Sequence, residues 1–110
     1  MPQLNIEDLL KKMLEAAKGS LTKDWQKISG VATSSLKALA QNLVDIEEMK
    51  LDGTITQEKA ALMIDMQKNT IKIVMLTEKG LGLLAVEAAI NAVIGVVKDT
   101  VNTAIGWTLL

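Results

Sequence analysis

The sequence contains no cysteine, histidine, phenylalanine or tyrosine, and all twelve of its basic residues are lysine. Each absence removes a class of chemistry. Without cysteine there is no disulfide, no thiolate metal ligand and no thiol nucleophile, and the redox compartment is left open. Without histidine, Ser20, Ser29, Ser34 and Ser35 have no imidazole base, and the Glu-x-x-His pairs of di-metal carboxylate bundles cannot form. Carboxylates and lysines are the only acid–base candidates, and no spacing gathers them into a cleft. The expectation is a non-enzymatic chain with no catalytic residue, metal, cofactor or small-molecule substrate.

Lack of arginine also removes the bidentate guanidinium contacts on which nucleic-acid recognition depends. The lysines are scattered among thirteen carboxylates for a net charge of -1, as expected of solvated helix faces, so no nucleic-acid partner is expected. The only aromatics are Trp25 and Trp107. A core of Leu, Ile, Val, Ala and Met must therefore pack as aliphatic ridges set into grooves, which favours an all-α fold.

What is present supports that class. Apolar residues make up 49% of the chain and charged residues 23%, too hydrophobic a balance for a disordered segment. A chain of 110 residues is expected to form a single helical domain over 1–110. Residues 1–8 carry Glu7 and Asp8 rather than a basic stretch before an apolar run, so no secretory signal is expected. Cytoplasmic residence is the default, with leaderless export and membrane association left open.

Three helices are expected, over about 6–18, 23–50 and 57–105. Asn5 can cap the first, Glu7 and Asp8 suit its positive end, and Leu4 can staple onto Leu9. Ile6, Leu9, Leu10, Met13, Leu14 and Ala17 form its apolar face, and Lys18-Gly19 reads as its stop. In the second, Trp25, Ile28, Ala32, Leu36, Leu39, Leu43 and Ile46 alternate at three and four, opposite Ser34, Lys37, Gln41, Asp45 and Glu48. Its weak point is Ser29-Gly30, which could kink the helix or admit a neighbouring backbone. The segment from Leu51 to Thr56 reads as a hairpin turn, with Gly53 at positive φ and Thr56 as the next cap. Its faint echo of a calcium loop fails, because Lys50 and Lys59 fall where carboxylate ligands belong.

From Thr56 no proline or strong stop interrupts the helical pattern. Glu58, Asn69, Gly80, Asn91 and Asn102 recur every eleven residues, a period that keeps them on one side of a straight helix. One continuous helix over 57–105 would be about 70 Å long, too long for one chain to bury. The competing expectation is a break at residues 80–82, giving a four-helix bundle. Because no Ser, Thr, Asp or Asn caps a restart there, the long helix is favoured. The dinucleotide-like run Gly80-Leu-Gly82-Leu-Leu-Ala85 lacks the parallel sheet such a loop requires.

Residues 81–97 are the most apolar stretch, about 25 Å of helix against a hydrocarbon core of about 30 Å, with Glu87 near the centre. Ala85, Ala88, Ala89, Ala92 and Gly95 would permit close helix approach. The expected fold is thus an antiparallel helical hairpin or bundle of three to four helices, with a long apolar C-terminal helix and completion by oligomerisation. Self-association is the favoured function, with Leu76, Leu83, Leu84, Val86, Ile90, Val93, Ile94 and Val97 at the interface and Glu87 or Asn91 setting register. A holin-like, pore-forming or lipid-surface role for those residues is the alternative. An adaptor presenting the Trp25 helix is a third.

Overall fold

The computed structural model describes residues 3–77 and 80–110, and the description below is confined to them. They form four helices, α1 (Ile6–Ser20), α2 (Trp25–Leu51), α3 (Gln57–Thr77) and α4 (Leu83–Ile105), with no strand among the described residues.

Helix α1 begins where the sequence places its cap. Asn5 is extended, and its side chain accepts a hydrogen bond from the Asp8 amide at 3.1 Å, satisfying one of the orphan donors of the first turn. The expected left-handed stop at Gly19 is not taken. Gly19 stays helical, and α1 ends when Leu21 enters the core at 3% exposure, its amide bonded to the Ala17 carbonyl. A turn over residues 22–24 then leads to α2, which starts at Trp25.

Helix α2 runs unbroken through Ser29-Gly30. No other chain segment approaches Gly30: a Cβ there would meet nothing within 4 Å. Ile28, Ala32, Leu36, Leu39, Leu43 and Ile46 are all buried, and each Leu or Ile contributes roughly 1.5–3 kcal/mol through removal from water. At the hairpin, Gly53 takes φ 72° and the Thr56 hydroxyl caps α3 by accepting from the Lys59 amide at 3.2 Å.

Residues 57–105 do not form one helix. Helix α3 ends at Thr77, Gly80 adopts φ 65°, and the Leu81 amide bonds back to the Met75 carbonyl at 3.3 Å. Leu81 is 8% exposed and so anchors the reversal in the core. Lys79, expected as the cation before this stop, lies outside the described residues. The restart needs no capping side chain: extended Gly82 serves as the N-cap, and its carbonyl accepts from the Val86 amide. Folding back lets α4 bury Val86, Ala89, Val93, Val97, Val101 and Ile105 within the same chain. A continuous helix would have left them uncovered. The eleven-residue series is accordingly divided between α3, the link and α4, rather than lying along one helix.

Consecutive helices are antiparallel. Gln3 and Leu4, before α1, bond Glu47 near the end of α2. Asn42 of α2 reaches Gln67 of α3, and Lys72 late in α3 reaches Glu87 early in α4. Helix α1 packs on both α2 and α4, and α3 closes the ring against the same two neighbours. All four enclose one aliphatic core, in a bundle with principal extents of 42 × 22 × 19 Å.

Candidate interaction surface

Polar clamps at one end of the bundle hold its termini. Glu47 is only 3% exposed, and its carboxylate accepts from the Gln3 amide through both oxygens and from the Leu4 amide, each at 2.9 Å. A buried carboxylate is tolerated because those donors replace water, and because it sits near the positive end of α1. At the same end, Gly106 (φ 83°) terminates α4. The Asn102 side chain then accepts from the Leu109 and Leu110 amides at 2.9 and 3.1 Å. Lys50 donates to the Ile105 carbonyl and lies 5.0 Å from the centre of the Trp107 ring, within cation–π range. Among the described residues no cluster of three or more His, Cys, Asp or Glu suited to a metal occurs, and no buried side-chain polar atom lacks a partner.

The residues expected at an interface or lipid surface divide into three groups. Val86, Val93 and Val97 are 0%, 3% and 0% exposed. They lie in the chain's own core. Leu76, Ile90 and Ile94 are half-buried, and the two isoleucines line a small apolar gap of about 10 Å³ with Ala17, Leu36, Leu39 and Ile71. Leu83 and Leu84 are exposed, Leu84 at 83%. Of the two residues expected to set register, Glu87 pairs with Lys72 at 3.4 Å within the chain. Both groups are more than a third exposed, so solvent screening holds this pair to about 0–1 kcal/mol. Asn91 lies on the outer side of α4, at the margin of a shallow cleft shared with Lys68, Asn69, Lys72, Glu87 and Ile90.

An outward line of apolar side chains also lies on α3. Ala60, Ile64, Ile71 and Met75 form its inner side and are buried. On the opposite side Leu62, Met66 and Ile73 are 58%, 61% and 58% exposed, in line with exposed Asn69. The spacing 62, 66, 69, 73 advances by four, three and four, which keeps them along one side of a helix. Single apolar side chains on a surface are ordinary, whereas a helix apolar on two opposite sides has one more side than its own bundle covers. Shallow clefts flank this ridge, one toward α4 and one toward α2 beside Asn42, Met63, Gln67 and Thr70. Sequence reasoning missed the outer ridge because the apolar density of residues 81–97 drew attention to α4. The signal was present in the second apolar series of α3, offset by half a turn from the first.

No helix among the described residues is long and apolar enough to cross a membrane, which removes the span considered for residues 81–97. Comparison with protein-family models, with curated proteins and with solved structures finds no match to this chain.

Proposed function

We propose that this chain is a non-enzymatic helical protein that works by self-association, with the outer side of α3 as its contact surface. The observation that carries the proposal is the exposed line of Leu62, Met66 and Ile73 on a helix whose other side is already packed. Burying those side chains against a second apolar surface would release water from each of them. A net charge of -1 imposes little repulsion between copies. The absence of histidine, cysteine and arginine, with no spacing that gathers the carboxylates and lysines into a cleft, favours a non-chemical role.

The test is the mass of the full chain by light scattering after size exclusion, set beside a Leu62→Glu, Ile73→Glu variant. The expected result is a concentration-dependent dimer or larger species, reduced to monomer by the double substitution with helicity unchanged. A monomeric mass at every concentration up to about 1 mM, the weak limit of specific association, would remove the proposal. Flotation with vesicles containing anionic lipid runs alongside it. Migration of the wild type with the vesicles, abolished by the same substitutions, would assign the ridge to a lipid surface instead.

A further inference from the structure

Resting on the self-association just proposed, we infer that two copies pair α3 against α3 in an antiparallel, two-fold symmetric arrangement. The ridge itself dictates this. The spacing of Leu62, Met66, Asn69 and Ile73, four, three and four, is symmetric about a point midway between Gln67 and Lys68. Antiparallel pairing therefore sets each Leu62 against the partner's Ile73 and each Met66 against the partner's Asn69. Such alternation of facing layers is what two helices need to interlock side chains. Asn69 near the centre discriminates against the one-turn slip that would place its amide against the partner's Leu62. That role was expected of Glu87 or Asn91, but both lie on α4, outside the ridge.

Charge on the flank selects the same orientation. Asp65 and Lys72 are seven residues apart and lie on the same flank of the ridge. Within the chain they pair with Lys68 at 3.7 Å and Glu87 at 3.4 Å, but with side chains 66% and 38% exposed these are weak surface pairs that can be exchanged or shared. A two-fold axis across an antiparallel pair brings each flank against the same flank of the partner. Asp65 then faces the partner's Lys72, and Lys72 the partner's Asp65, two opposite-charge contacts per dimer. Parallel pairing would place Asp65 near the uncharged partner's Thr70 and lose both. The ridge spans only about 17 Å along the helix, so the interface belongs to the small, reversible class.

Because the chain has no cysteine, single introduced thiols report the geometry directly. In the antiparallel pair the two copies of residue 66 are offset by about 5 Å along the axis, and the two copies of residue 73 by about 17 Å. Under mild oxidation the full-length Met66→Cys variant should cross-link to itself. Leu62→Cys and Ile73→Cys should each stay uncross-linked alone but join when mixed. Their exposure makes these substitutions compatible with the fold, and circular dichroism checks that it is kept. Self-cross-linking of Ile73→Cys as fast as that of Met66→Cys would establish parallel pairing and overturn the inference. So would a dimeric mass with no cross-linking in any variant. In both cases self-association itself stands, whereas a monomeric wild type removes both readings. A second measurement uses charge: Asp65→Lys and Lys72→Asp should each weaken homodimer formation about tenfold, and an equimolar mixture should restore it. Failure of the mixture to recover would count against the Asp65–Lys72 contacts.

Discussion

At the scale of single residues, Glu47 shows how one buried charge fixes the start of the chain. A Glu47→Gln substitution keeps its volume and one oxygen that can accept from both the Gln3 and Leu4 amides, but it removes the charge and turns an NH₂ group toward the Gln3 amide where the second oxygen accepted. Chemical denaturation should show a loss of about 1–2 kcal/mol, the difference between hydrogen bonds to a charged and to a neutral acceptor. An unchanged midpoint would mean that the contact adds nothing. This residue was not legible as a site. It follows Leu43 by four positions, so the buried side of α2 continues into it, but periodicity does not reveal which donors arrive from forty residues away. The capping roles of Asn5 and Thr56 were legible, because capping is a contact between near neighbours in sequence.

At the scale of elements, two glycines with equally open surroundings should respond oppositely to alanine. A Cβ at either Gly30 or Gly80 would meet nothing within 4 Å. Gly30 lies inside α2, where alanine lowers the entropy of the unfolded chain, so Gly30→Ala should stabilise by about 0.5–1 kcal/mol. Gly80 holds φ 65°, and Gly80→Ala should destabilise by about 1–2 kcal/mol. Thermal melts of the pair provide the check, and equal shifts of the same sign would refute the assignment of different backbone roles. The α3–α4 break was visible in the sequence as an alternative but lost to the missing cap. Lack of a side-chain cap proved poor evidence, because Gly82 supplies a backbone cap and Leu81 gains burial by turning inward. Tertiary burial outweighed the local pattern.

At the scale of the whole molecule, the all-helical class could be read directly from composition, since a core without phenylalanine, tyrosine or histidine is suited to packed helices. Which apolar residues end up inside could not. Val86, Val93 and Val97 are as hydrophobic as an interface requires, and only the return of α4 onto α1 encloses them. The outer ridge of α3 is the remainder after that enclosure, which is why the surface proposed for association moved from one helix to its neighbour.

Trp25 and Trp107 mark opposite poles of the bundle. Trp25 opens α2, while Trp107 lies against Lys50 near its close, about 37 Å away along the helix. With no tyrosine in the chain, all intrinsic fluorescence comes from these two points, one at each end of a 42 Å body. The molecule thus carries its own pair of optical gauges. Single-tryptophan variants should melt together if the bundle opens as one unit, and apart if the end clamped by Asn102 outlasts the other. The proposed seam is centred midway along α3, far from both indoles, so their emission should report unfolding while staying blind to pairing.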